Sequence, residues 1–413
     1  MNLLIIIFNS LIHFGITFYY YKKEGLSLRS FLWLYLSVFT LGGVVFLGTG
    51  LYIEIMDSPH FSYNEIISPK PYLLNLLYTY IILCPLGLVK PERIVNQRLR
   101  NDISCFKISR IVMLVEFIYT IIKVSQVFVV VNYGFGNFHD LGPKLQEEIL
   151  YGSVPLLQYI NYIGKFVAVV VFPYILVYHF ILWKNTHKNY NYLKFLLLLF
   201  AINSVLVGLV AGSRAEICFG FMNVLLFGIL AKPWIKIKFK GIFFAVIIVF
   251  YILSLFKSIA SERFSGSMEE YNILRYWGEA YLNLGFEVWN HVTSHTYGIC
   301  SFGDFLNVAP EFKYLISGIN TWWFLTGYGY LFVDFGPIIP IFIALTMSLA
   351  FKLYIGKKKQ ISLDKIAMIL FYFQMCYHHP FEFSYKRFDV LIFFLILLFP
   401  KLLNNIFLYR RSN

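Results

Sequence analysis

Polar side chains with chemical potential are few in this chain, and they stand out against an apolar background. The segment EEYNILRYWGEAYLNLGFEVWNHVTSH carries Arg275, Glu279, Asn283, Glu287, His291 and His295 at steps of four. Each step of four overshoots a helical turn by about 40°, so on a helix these six form a slowly winding polar ribbon. Trp277, Ala280, Leu284 and Val288 make the apolar side, the pattern of an amphipathic helix lying at a membrane interface. The ribbon is either a wetted face of i,i+4 pairs or a set of aligned functional groups. Glu287, His291 and His295 also have a spacing that suits a metal on one helical face. No further Cys or Asp ligand lies close by, and no metal site is assigned.

Cations outside that segment fall into two groups. In VGLVAGSRAEICFGF only Gly212, Ser213 and Arg214 separate two apolar runs, so Arg214 sits at a membrane interface. A lone Arg at a span end commonly snorkels to headgroups, but a guanidinium beside a glycine also grips phosphate oxygens bidentately. Arg263 in SERFSG and Arg387 in SYKRFDV also stand at span ends, each a second phosphate contact or a solvated residue. Lys123 and Lys165, with Glu116, lie inside apolar runs instead. A charge at a helix centre costs about 2.5–3.5 kcal/mol, so these groups either pair with one another or line an anion-holding cavity. His378 and His379 cap another run, as a structural pair or as a base near neutral pH.

The elements that carry these groups are membrane spans. Of 413 residues, 59% are hydrophobic and 14% charged, against about 45–50% and about 25% in soluble domains. A soluble enzyme, a disordered chain and a disulfide scaffold are excluded. Apolar runs at 2–21, 30–53, 72–89, 111–132, 156–183, 195–211, 215–231, 241–257, 322–351, 366–379 and 388–405 predict an all-α polytopic bundle of about 11 spans. Twenty-four of the 35 Lys and Arg fall in one alternate set of gaps and nine in the other. That bias places the N-terminus outside and the C-terminus inside, and accounts for the net charge of +13 with no nucleic-acid partner. The N-terminus reads as a retained first span, having no basic n-region or cleavage site. Five scattered cysteines imply neither zinc nor disulfides. One outer gap, 258–321, is long and aromatic, and is expected to fold on the outer surface around the amphipathic helix.

The stretch TWWFLTGYGYLFVDFGPIIPIFIALTMS resembles a signature of the bacterial O-antigen and capsular polysaccharide repeat-unit polymerases (Wzy type), with Thr321, Asp334, Phe335 and Gly336 as the matching residues. AGSRAE, with Arg214, is similar to that family's small-Ser-Arg element between two spans. LRYWGEAYLNL, with Arg275, Gly278 and Asn283, resembles its outer-loop segment, and SYKRFDV, with Arg387, its Arg-bearing start of the last span. The resemblance implies a multi-pass protein of the bacterial inner membrane, working at the periplasmic or exterior face without a cofactor. It would transfer a growing glycan from a polyprenyl diphosphate carrier to the non-reducing end of a new lipid-linked repeat. A flippase and a chain-length regulator would be its partner proteins.

That reaction needs fixed cations to meet charge on the leaving diphosphate, which Arg214 and Arg275 supply, with Arg263 and Arg387 behind them. The acceptor hydroxyl needs placing, and Glu279, His291 and Asp334 are the candidates for that and for a base. Lys123 and Lys165 would line the cavity. Three other classes stay open: a flippase or transporter of lipid-linked sugars, an O-antigen ligase, and a dolichol-type transferase using Glu54 and Asp57.

Overall fold

The computed structural model describes residues 1–52, 65–90, 103–134, 143–152, 190–210, 272–302, 310–319, 325–356 and 363–380, with isolated positions at 93, 157, 159, 160, 164, 179, 222, 225, 226, 228 and 229. All regular structure among them is helical. The helices are α1 (Asn2–Glu24), α2 (Leu28–Gly48), α3 (Lys70–Leu83, continued by a 3₁₀ turn Cys84–Leu88), α4 (Ile103–Tyr133), α5 (Pro143–Tyr151) and α6 (Tyr190–Val210). They continue with α7 (Asn272–Asn283, running on as a π segment Leu284–Trp289), α8 (Ile299–Phe302), α9 (Pro310–Ser317), α10 (Gly327–Phe335), α11 (Ile339–Ile355) and α12 (Leu363–His378). Two compact units result. One holds Met1–Lys90, Ser267–Lys358 and Phe371–Leu395, and the other Pro91–Gly266, Lys359–Leu370 and Ile396–Asn413.

Among the described residues four helices are long and apolar enough to cross a bilayer: Asn2–Glu24, Leu28–Gly48, Lys70–Leu88 and Arg110–Tyr133. They match the first four expected runs, except that α2 ends at Gly48, short of 53. Their side chains are arranged inside out. On α1 the buried seam is Ile6, Asn9, Ser10, His13, Thr17 and Tyr20, while Leu4, Phe8, Leu11 and Phe18 stand exposed. On α4 the buried seam Val112, Glu116, Tyr119, Lys123, Gln126 and Val130 recurs at alternating steps of four and three, with Leu114, Phe117, Ile121 and Phe128 outside. In hydrocarbon the outer surface must be apolar and polar groups must find partners within the bundle, so this arrangement marks a membrane-embedded protein.

In the first unit α1 and α2 form a hairpin. Gly25, at φ 64°, ends α1 with its N–H on the Tyr21 carbonyl, and Ser27 opens α2 with a reciprocal capping box to Ser30. Along the seam Thr17 Oγ1 meets Ser37 Oγ at 2.9 Å, and Thr40 Oγ1 donates to Ser10 Oγ at 3.3 Å. Arg29 pairs with Glu24, donates to the Cys84 carbonyl at 3.2 Å and lies over the Tyr20 ring, tying this turn to the end of α3.

Two expectations are corrected here. The run 322–351 is not one continuous helix: its described part is α10 and α11, broken at Gly336 and Pro337. Gly336 leaves the helix at φ 77°, which favours glycine, and Pro337 has no N–H to continue the ladder. The segment 272–291 is not a helix resting on a surface. It packs against α2 so closely that a Cβ on Gly42 would stand 2.5 Å from the Trp277 carbonyl oxygen, and one on Gly278 would stand 2.6 Å from the Gly43 nitrogen. Every residue from Gly278 to Val288 is buried, on the polar and the apolar side alike. Small residues on both helices permit this backbone approach, as at other close helix crossings in membranes.

Gly278→Ala is therefore expected to destabilise the protein by about 1–3 kcal/mol through overpacking against α2. Gly15→Ala, where nothing lies within 4 Å, should be close to neutral. Thermal unfolding of the detergent-solubilised pair measures the difference.

Candidate functional site

The polar ribbon of α7 and its π segment is turned into the first unit. Asn283 is the hinge of the cluster: it accepts from the Tyr52 hydroxyl at 2.8 Å and donates to Glu279 Oε1 at 3.2 Å. All three side chains, and Glu287, are buried. Two steps of four on an α-helix would rotate Glu287 by about 80° from Glu279; the wider π turn at Leu284–Trp289 reduces that rotation, and Glu287 lies near enough to act on the Tyr52 phenol. Burial pushes the Tyr52 phenol well above its ordinary range, and Tyr72, Glu279, Glu287 and Glu65 push it further. Tyr52 thus stays an O–H donor among acids. At the rim, Glu65 Oε1 accepts from Asn290 Nδ2 at 2.8 Å and lies 2.8 Å from His291 Nε2, an ion pair when the ring is protonated. Asn2 holds Glu65 and Ile67 from α1, through their carbonyl and N–H groups respectively.

This cluster occupies one end of the α1–α2–α3 bundle, where α1 begins, α2 ends and α3 begins. Lys22, Lys23, Arg29 and Lys90 belong to the other end, where Arg29 joins Glu24 and Cys84. An apolar groove of about 540 Å³ opens beside the cluster between α1 and α3, lined by Leu4, Phe8, Asn9, Leu11, Tyr72 and Leu73 among others. Tyr72 belongs to both: it lines the groove, and its hydroxyl lies against Gly285 of the π segment, where a Cβ would collide with it. An apolar groove thus meets a set of donors and carboxylates at one residue, an arrangement that suits an amphipathic ligand.

Asp334 and His295 lie together in a different part of the unit. The Asp334 carboxylate is buried and accepts from the Thr296 hydroxyl and from the backbone N–H of Gly298 (3.0 Å), Cys300 (2.9 Å) and Ser301 (2.9 Å). It caps the start of α8 and anchors the 293–301 turn to the end of α10, where Tyr297 N–H also donates to the Asp334 carbonyl. His295 sets Nδ1 3.3 Å from the Val333 carbonyl and packs edge-on against Phe332. The helix ends at His291, so the spacing that aligned His295 with Glu287 is broken, and among the described residues no three potential ligands are placed to share a metal ion. His379 is buried too. Thr79 donates to the Asn75 carbonyl, so His379 Nε2 carries the hydrogen in its 3.0 Å contact with Thr79 Oγ1, and the His379 carbonyl accepts from Gly327 N–H at the start of α10. His378 stacks on Tyr377.

In the second unit Glu116 pairs with Asn203 of α6 rather than with a lysine, at 2.7 Å. Lys123 is buried, donates to Gln126 Oε1 at 2.9 Å and lies 5.4 Å from the Tyr119 ring centroid. Arg275 stands one turn before Glu279 on α7. Arg214, Arg263, Arg387, Lys165, Thr321, Glu54 and Asp57 lie outside the described residues. Sequence reasoning missed Tyr52, Glu65 and Tyr72. Tyr52 and Glu65 meet partners 231 and 225 positions away, and neither sits in a pattern that distinguishes it from the chain's other tyrosines and acids.

Tyr52→Phe leaves the buried Asn283 Oδ1 without its donor and should cost about 1–3 kcal/mol. A double-mutant cycle with Asn283→Leu, read by unfolding, should return most of that as coupling. Asp334→Ala should speed hydrogen exchange of the Gly298, Cys300 and Ser301 amides by about tenfold or more, while Asp334→Asn, which keeps an acceptor, should give a smaller change.

Compared with protein-family models, curated proteins and solved structures, the chain shows no match in any of the three.

Proposed function

We propose that this chain polymerises lipid-linked oligosaccharide repeat units, transferring a growing glycan from polyprenyl diphosphate to a new lipid-linked repeat at the outer face of a bacterial inner membrane. The observation that carries the reading is the meeting of the apolar groove and the buried Tyr52–Asn283–Glu279 cluster at Tyr72. Such a substrate is a long apolar chain joined to a polar, sugar-bearing head. The reading takes the chain as about eleven spans with the N-terminus outside. The cluster then faces outward, because Lys22, Lys23, Arg29 and Lys90 at the opposite end follow the cytoplasmic bias of positive charge.

In this reading the polyprenyl chain lies along the α1–α3 groove and the head reaches the cluster. A diphosphate is repelled by Glu279, Glu287 and Glu65, so its charge falls to the arginines: Arg214 and Arg275 first, Arg263 and Arg387 behind them. The acids serve the acceptor instead. A carboxylate at Glu279, steadied by Asn283, takes the proton of the acceptor hydroxyl as its oxygen attacks the anomeric carbon and the bond to the diphosphate breaks. His291, paired with Glu65 at the rim, orients the incoming sugar. Asp334 keeps its place in the reading as the anchor of the turn that follows His291. The polar seam of α4, with Glu116, Lys123 and Gln126, favours a second reading, a carrier of lipid-linked sugars without chemistry.

The test is a gel of the host's surface polysaccharide after deletion of the gene, with wild-type, Arg214→Ala and Glu279→Gln add-backs. The expected result is a ladder that collapses to a single repeat, restored by wild type and by neither variant, although both proteins reach the membrane. An unchanged ladder would sink the polymerase reading. Loss of the single-repeat band as well would favour the carrier or a ligase.

A further inference from the structure

Glu116 stands fully buried within Arg110–Tyr133, and three short contacts close a ring around it. Its Oε2 lies 2.7 Å from one end of the Asn203 amide. The other end of that amide lies 2.6 Å from Thr120 Oγ1, and Thr120 Oγ1 lies 2.7 Å from the Glu116 carbonyl oxygen. Each contact is short enough to require a hydrogen between its two atoms. The Thr120 hydroxyl has one hydrogen, and the Asn203 amide can aim its NH₂ at only one of its two neighbours.

If Glu116 were an anion, Asn203 would turn its NH₂ to the carboxylate and its oxygen to Thr120. The single Thr120 hydrogen would then face two acceptors, leaving one contact as lone pair against lone pair. With Glu116 a neutral acid the count closes. Its O–H donates to the Asn203 oxygen, the Asn203 NH₂ donates to Thr120, and Thr120 donates to the Glu116 carbonyl. The amide is free to take this orientation, since its oxygen and nitrogen fill the same outline.

The surroundings agree. Glu116 Oε1 is buried without a hydrogen-bond partner among the described residues, a position far costlier for an anion than for the carbonyl oxygen of an acid. The other titratable and charged groups on its own helix are Cys105, Lys107, Arg110, Tyr119, Lys123 and Tyr133. Those on α6 are Tyr190, Tyr192 and Lys194, and those on α5 are Lys144, Glu147, Glu148 and Tyr151. Among the described contacts none of these bonds to Glu116.

We propose that Glu116 is a proton-binding site of the membrane interior, a neutral carboxylic acid locked into a ring with Asn203 and Thr120. It rests on the second unit alone and is independent of the polymerase reading. The reagent class that recognises such a site is a lipid-soluble carbodiimide. The acid proton moves to a carbodiimide nitrogen and the carboxylate oxygen adds to the central carbon. The resulting O-acylisourea then rearranges by acyl transfer to nitrogen into a stable N-acylurea, with no atom lost.

The test treats the full chain in membrane vesicles at neutral pH with dicyclohexylcarbodiimide and maps the adduct by peptide mass spectrometry. Infrared difference spectra of wild type against Glu116→Gln accompany it. The expected results are an adduct on Glu116 and loss of a carboxylic-acid C=O stretch in the variant. Gln mimics the neutral acid by donating to the Asn203 oxygen, so Glu116→Gln should keep the wild-type melting midpoint while Asn203→Leu lowers it. An adduct missing from Glu116, a carboxylate band lost in place of the acid band, or a Gln variant that unfolds would each overturn the proposal.

Discussion

The backbone contact between α2 and α7 is the constraint on which the first unit depends. Gly42 and Gly278 leave no room for a Cβ between the two helices. Because the helices approach this closely, Phe286 and Leu282 reach the core made by Ile6, Phe46, Tyr52, Ile67 and Tyr72. The same approach carries Glu279 and Asn283 inward, where they must find partners or leave polar groups stranded. Tyr52 meets that need on one side, and the π turn at Leu284–Trp289 turns Glu287 toward the same tyrosine. A bulkier residue at position 278 would push α7 outward and dissolve the cluster before any of its own residues was changed.

The electrostatics of the cluster follow from its burial. Carboxylates gathered around a phenol make a poor site for a phosphate and a good one for a hydroxyl, because hydroxyls donate to carboxylates while phosphates are repelled by them. The groove beside it is almost purely apolar, with Asn9 and Tyr72 as its polar lining. In the proposed function these two surfaces would take the two parts of one amphipathic substrate, its chain among Leu4, Phe8 and Leu73 and its hydroxyls among Glu279, Asn283 and Tyr52.

Asp334 illustrates how burial and function separate. Its carboxylate is as buried as that of Glu279, yet its donors are backbone N–H groups and a hydroxyl from one short turn. Such a carboxylate orders a loop: it fixes the chain after His291, and so fixes where the rim of the cluster ends. His379 plays a similar part at the other end of α10, pinning Gly327 through its carbonyl and Thr79 through its ring.

The amino-acid sequence by itself determined the all-helical, membrane-embedded character and the first four spans. Runs of about 20 apolar residues have no other stable state in hydrocarbon, and their bounds depend only on neighbouring residues. The α1–α2 turn was equally local, written in Gly25 and the Ser27–Ser30 capping box. Only the tertiary structure decided the rest. The polar ribbon of 275–295 had a period but no direction, and whether it faced water or the core hung on glycines 235 or so positions earlier in the chain. The break in the run 322–351 needed Gly336 in a left-handed conformation, and apolar residues on both sides concealed it. By charge, Glu116 reads as the partner of either Lys123 or Lys165. The packing of α6 set Asn203 beside Glu116 instead, because a side chain pairs with what the neighbouring helix brings within reach, and that is a property of the bundle.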